Sequence, residues 1–232
     1  DLIVGFKDTH AEVAAAAIRI AEPKAVEDQA LQQLVTDSVN TADYAVLEQL
    51  ALTLGEWDSE IAATKLLEIA TVCQSGDLRT AWLSSVPPHA PSVLKLAIQR
   101  PDAATNPLIA ETARTLGVSG NEYDIQKVME DILQPPTTLD RQMALLTPLS
   151  AGLRLQSKSL TSVSKSGQST DIAGRLDKFF KAVADRVQNE IFSEKQRNTS
   201  ILMLGSAPAS LAVPVLAELL TPSTSIDAQQ ST

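Results

Sequence analysis

Two histidines, one cysteine, one serine–lysine pair and one basic run are the side chains here with chemistry to offer, and each needs a partner. His10 and His89 stand 79 positions apart, and neither has a second histidine or a cysteine at the spacing a metal site requires. The reading for both is a surface or helix-capping role. Cys73 continues the stripe Ala62, Leu66, Ile69 and is expected on the core side of its helix. A catalytic thiolate needs exposure and a nearby base, and no histidine is close in sequence. Ser162-Val163-Ser164-Lys165 matches the S-x-x-K pattern of penicillin-binding enzymes. That pattern works only with the serine fixed at a helix start and with S-D-N and K-T-G elements, which are missing. The carboxylates at Glu56, Asp58 and Glu60, and at Glu130 and Asp131, lie beside turns or on charged faces. Paired acid–base work needs a shared cleft, and an EF-hand's spaced oxygen ligands are absent. No catalytic, cofactor-binding or metal-binding residue is therefore expected, and the chain is read as a non-enzyme.

Two groups remain as candidates for touching a partner. Trp57 and Trp82 occupy similar turn-proximal places; packing between repeats is one reading, an interface anchor the other. Arg175, Lys178, Lys181 and Arg186 form a basic stretch able to receive an anion. It supports an alternative function, a groove-based small-anion binding or enzymatic module.

The elements that must carry these residues are helical. Of 232 residues, 44% are hydrophobic and only 3% aromatic. Small and medium side chains favour closely packed helices. The phrase Thr53-Leu54-Gly55 returns as Thr115-Leu116-Gly117 and as Met203-Leu204-Gly205. Each copy ends an apolar helical run, and a second run follows. Self-similarity at a period of a few tens of residues marks a stacked helical repeat. Six pairs are predicted: 11–21 with 24–36, 42–54 with 59–72, 77–86 with 91–99, 107–116 with 122–133, 139–156 with 172–191, and 193–204 with 209–220. Gly or Pro at the breaks, as at Glu22-Pro23, Gly55 and Pro87-Pro88, is read as helix-ending chemistry. Ile125, Val128, Met129, Ile132 and Leu133 exemplify the amphipathic period.

The fold class expected is all-α, an α-α superhelix of the HEAT or armadillo type forming a single domain over 1–232. The polar stretch Ser157–Thr170 predicts a flexible insertion, and 222–232 a disordered-looking tail. Both ends are expected to be cuts in a longer protein, or the ends of a processed product. The second helices of such arrays usually line the inner face. Here they offer Glu27, Asp28, Gln32, Lys65, Glu68, Lys127 and Glu130, a mixed polar surface suited to docking.

The net charge of −9 argues against nucleic-acid binding. It is uneven: acids exceed bases by eleven over 1–150, and bases exceed acids by four over 151–200. No apolar run approaches the roughly 20 residues that span a bilayer, so no membrane insertion is expected. One cysteine excludes an internal disulfide.

One stretch is more specific. Gln49-Leu50-Ala51-Leu52-Thr53-Leu54-Gly55-Glu56 and Asp77-Leu78-Arg79-Thr80-Ala81-Trp82-Leu83-Ser84-Ser85 resemble two segments of the helical-repeat region in large planctomycete-type c-type cytochromes. These bacterial proteins are often described as membrane-bound dehydrogenase-like or haem-binding proteins. Asp8–Glu22 and Ile201–Pro222 are similar to that family's flanking repeats. The resemblance implies a solenoid connecting a propeller-type dehydrogenase-like domain to a cytochrome c domain, in a periplasmic or cell-envelope protein. It carries no haem into this chain: Cys73 is followed by Gln74-Ser75-Gly76, which cannot form C-x-x-C-H. The function expected is thus a non-catalytic scaffold, its partners the neighbouring domains of the same polypeptide or another protein.

Overall fold

The structure is a computed structural model that describes residues 2–41, 43–73, 76–100, 102–166 and 170–220. These residues are overwhelmingly helical, with no strand among them. They fall into two compact units, 1–112 and 113–232.

The first unit holds α1 (Leu2–Phe6), α2 (Ala11–Ala25), α3 (Gln29–Asp37), α4 (Tyr44–Gly55), α5 (Glu60–Val72), α6 (Gly76–Ser85) and α7 (Ala90–Gln99). Short 3-10 turns at Ser38–Asn40 and Pro87–His89 join α3 to α4 and α6 to α7. The boundary falls inside α8 (Pro107–Ser119). The second unit continues with α9 (Glu122–Leu133), α10 (Leu139–Leu155), α11 (Leu160–Ser166), α12 (Thr170–Gln188), α13 (Glu194–Leu204) and α14 (Ala209–Leu219).

Side-chain caps set where these helices start. The Asp28 carboxylate accepts from Ala30 N and Leu31 N, Ser59 from Ala62 N, and Asn121 from Asp124 N. Each satisfies a backbone donor that has no partner within its helix. Ser193 and Gln196 form a capping box at α13. Asn106 serves two helices: its Oδ1 accepts from Leu108 N at the start of α8, and its Nδ2 donates to Ala70 O near the end of α5, at 2.9 Å each.

In the first unit α2 packs on α4 and α4 on α6, while α5 packs on α7; α3 folds back on α2 and α5 on α4. Ile18, Ala21, Leu47, Leu50, Leu54, Leu66, Leu67 and Trp82 fill the space between them, each 1% exposed or less. In the second unit α10 packs on α9 and α13, and α12 on α9, α13 and α14. Its centre is Met129, Ile132, Leu145, Leu146, Leu149, Phe180, Val183 and Leu204.

Four expectations need correction. The first helix does not break at Glu22-Pro23. It runs on to Ala25, and the turn to α3 falls at 26–28, where Asp28 caps the next helix. A proline inside a helix removes one N–H bond without ending it when packing holds both sides. Here Glu22 accepts a hydrogen bond from the Thr53 hydroxyl at 2.6 Å, tying that turn to α4.

Second, the glycines of the recurring phrase are not left-handed caps: among the described residues no glycine has positive φ. Gly55 is the last residue of α4 and Gly117 lies within α8. A Cβ on Gly55 would stand 2.7 Å from Ser85 Cβ and 2.9 Å from Ser85 Cα. A Cβ on Gly117 would stand 2.5 Å from Leu149 O and 2.9 Å from Leu153 N, and one on Gly152 would strike Arg114 O. These glycines let backbones touch, α4 against α6 and α8 against α10.

Third, the stretch expected as a flexible insertion at 157–170 contains α11 over 160–166; residues 167–169 lie outside the described ones. Leu160 and Val163, spaced three apart, are buried against α9 and α12. Ser159 and Ser162 cap each other reciprocally, Ser162 N donating to Ser159 Oγ and Ser159 N to Ser162 Oγ. Two apolar side chains at helical spacing outweigh a serine-rich composition here. Fourth, α1 was not foreseen. The tail at 222–232 lies outside the described residues.

Candidate functional site

Each unit has an open groove that gathers polar side chains. In the first unit α3 and α5 part to leave a groove of about 430 Å³. Gln29, Gln32, Gln33 and Thr36 of α3 face Glu60, Ile61, Thr64 and Lys65 of α5. Much of its hydrogen-bonding capacity is spent locally. The hydroxyls of Thr36 and Thr64 donate back to Gln33 O and Glu60 O, and Gln33 Nε2 donates to Asp37 at 2.7 Å. Lys65 pairs with Glu68 at 2.9 Å. The amides of Gln29 and Gln32 and the half-exposed Ile61 complete the surface. Sequence reasoning named Gln32 and Lys65 for this face and missed Gln29, Gln33, Ile61 and Thr64. The available signal was the polar side of α3: Gln29, Gln32, Gln33 and Thr36 follow i, i+3, i+4 and i+7, which puts them on one helix face.

In the second unit a groove of about 460 Å³ lies between the end of α9, the start of α10 and α12. Leu133, Pro135, Leu139 and Phe179 give it apolar walls, and Gln142, Asp171, Arg175 and Lys178 line it as well. Gln142 Nε2 is committed to Ile132 O at 3.2 Å.

The basic stretch is divided by the fold. Arg175 pairs with Asp171 one turn earlier, and its Nη1 is buried with no hydrogen-bond partner among the described residues. Lys178 lines the α9–α10–α12 groove. Lys181 is exposed and does not line it. Arg186 is only 7% exposed, pairs with Asp140 and lies 4.9 Å from the Phe192 ring centroid. That geometry is a cation–π contact. Arg186 therefore joins α12 to α10 and to the turn before α13, and the four cations do not form one anion-binding patch.

Both tryptophans are packed rather than displayed, so neither ring is a surface anchor. Trp82 is fully buried and its Nε1 donates to Leu66 O at 2.7 Å, fastening α6 to α5. Trp57 is 3% exposed. Trp57, in the turn from α4 to α5, and Trp82, within α6, each fill interior space with a large ring.

His10 is a surface residue, bonded to Asp8 through its backbone N at 2.8 Å and its ring Nδ1 at 3.0 Å. These bonds hold the Asp8 carboxyl below the usual aspartate range. His89 departs from the expected surface role: it is 7% exposed in the 3-10 turn before α7. Cys73 lies just past α5 and is half-buried rather than fully inside. Burial pushes its thiol up, and the Arg79 charge draws it down by less. A thiol so placed is a weak nucleophile at neutral pH. Ser162 spends its hydroxyl on Ser159 O, so the S-x-x-K resemblance carries no activated serine. Glu130 stands 3.8 Å from Lys127, a helix-face ion pair. Among the described residues no three His, Cys, Asp or Glu side chains converge as a metal site. No described helix is long and apolar enough to cross a membrane. In comparison with known proteins, no family model matches the chain and no curated protein matches it in sequence.

Proposed function

We propose that this chain is a non-catalytic scaffold, a solenoid of HEAT-like helix pairs that docks a neighbouring domain or partner protein along the polar face of its second helices. The observation that supports it is the packing order. First helices lie on first helices in the run α2, α4, α6, and second helices on second helices in the runs α5, α7 and α9, α12, α14. Within each unit, an array built this way covers each pair's apolar face with the next pair and leaves the polar sides of the second helices for binding. The α3–α5 groove offers the amides of Gln29 and Gln32, and amides suit a polar protein surface because each offers both donor and acceptor. The resemblance of 49–56 and 77–85 to the cytochrome-linked repeats supports partners in the same polypeptide: a propeller-type dehydrogenase-like domain on one side and a cytochrome c domain on the other, at the cell envelope. Haem would belong to that neighbour and to no residue here.

The test joins the surrounding reading frame to a binding measurement. The two flanking domains, produced separately, are titrated calorimetrically with this chain. Saturable heat that is lost in the double variant Gln32→Arg, Ile61→Arg supports docking through α3 and α5. Flanking domains that bind nothing overturn docking, and a reading frame without a propeller or a C-x-x-C-H overturns the cytochrome assignment.

A further inference from the structure

The α9–α10–α12 groove has a composition that the docking reading does not use. Its walls are apolar: Leu133 and Phe179 are 6% and 4% exposed, and Leu139 stands across from them on α10. Its charge comes from α12 alone, where Asp171, Arg175 and Lys178 follow at i, i+4 and i+7 and so share one helix face. Two cations against one carboxylate leave one positive charge uncompensated at the groove. The Arg175 guanidinium offers five donors. One nitrogen serves Asp171, and the Arg175 side chain is 29% exposed where it lines the groove. An ionised acceptor makes the strongest hydrogen bonds with such a cation.

We propose that this groove binds a small organic monocarboxylate with an apolar body. The carboxylate is held by Arg175 and Lys178, and the body rests on Leu133, Leu139 and Phe179. The single surplus charge selects a monoanion over a dianion such as a phosphate ester. The apolar walls select a body of several carbons over an inorganic ion. A volume of about 460 Å³ sits within the range of small-molecule sites. The site lies wholly in the second unit and stands or falls independently of the α3–α5 docking face.

The probe is sodium octanoate, followed by two-dimensional amide NMR on the full chain, with octanamide and inorganic phosphate as parallel arms. The expected result is a saturable shift confined to amides near 133–142 and 171–182, with octanamide and phosphate at least tenfold weaker. Arg175→Gln should weaken octanoate at least tenfold and Lys178→Met several-fold, while Lys181→Met should leave it unchanged. Asp171→Asn should tighten binding several-fold because it removes the competing carboxylate, a gain that unfolding cannot mimic. No saturable shift with octanoate overturns the proposal. Equal binding of octanamide overturns the role of the charge, and equal binding of phosphate overturns the role of the apolar walls.

Discussion

Glu122 shows what a single surface side chain does in this molecule. Its carboxylate accepts from Lys158 Nζ at 2.6 Å, joining the first turn of α9 to the segment that leads into α11. The Lys158 hydrogen bond, helped by the Ser166 hydroxyl and the Lys158 charge, holds the Glu122 carboxyl below the usual glutamate range. A depressed folded value means the pair contributes fully above the unfolded glutamate's pKa. That contribution is lost as pH falls from there through the folded value. Both side chains are close to half-exposed, so salt screens the effect. An NMR titration should find the Glu122 midpoint below that of an exposed glutamate, returning toward the ordinary range in Lys158→Met. An unchanged midpoint in that variant would assign the shift to something other than the lysine.

At the scale of elements, the glycine crossings decide how close helices come. In Gly117→Ala the added carbon would meet the backbone of α10, at Leu149 O and Leu153 N. Backbone cannot swing aside as a flexible side chain can, so the cost should be about 1–3 kcal/mol, the range for overpacked sites. Gly174 is the built-in contrast: it lies exposed within α12, and a Cβ there would meet nothing within 4 Å. Gly174→Ala should stabilise by roughly 0.4–1 kcal/mol, since it removes only unfolded-state freedom. Thermal unfolding of the two variants should move in opposite directions; parallel shifts would contradict the close-approach account.

The same glycines show what was legible beforehand. The period of apolar residues placed most helices within a few positions, because burial of one face is written directly as spacing. The conformation at helix ends was not legible, because a glycine reads the same whether it turns the chain or admits a neighbour's backbone. Pro23, Pro148 and Pro214 all sit inside helices. Tertiary packing there outweighs a local preference. α11 was hidden by serines that cap and back-bond instead of loosening the chain. Of the groove linings, Gln32 and Lys65 in the first unit and Arg175 and Lys178 in the second were visible in advance, whereas the walls that other helices bring against them were not. The pairing of Arg186 with Asp140 joins residues 46 apart, and nothing in local spacing announces it.

Across the whole molecule charge and aromatic probes are both lopsided. Residues 1–112 hold 7 basic and 16 acidic side chains, and 113–232 hold twelve of each, so the entire net charge of −9 resides in the first unit. Trp57 and Trp82 also lie there. Tryptophan fluorescence therefore reports the first unit, and far-ultraviolet dichroism reports both. Urea unfolding should give non-coincident curves from the two signals, as expected when two compact units open separately. Added salt should raise the fluorescence midpoint more than the dichroism midpoint, because screening relieves like-charge repulsion mainly in the acidic unit. Superimposed curves at every salt concentration would mean the chain unfolds as one cooperative body.

The two kinds of glycine crossing differ in how they can change over generations. Gly55 faces Ser85, and two of its three nearest obstacles belong to the serine side chain. A change of Ser85 to glycine would remove those two and leave its Cα at 2.9 Å, so alanine at 55 would still need the two backbones to part slightly. Gly117 and Gly152 face each other, and neither has anything left to surrender. Among descendants of this chain, 55 and 85 can change together only with a slight parting of α4 and α6, whereas 117 and 152 must each stay as they are.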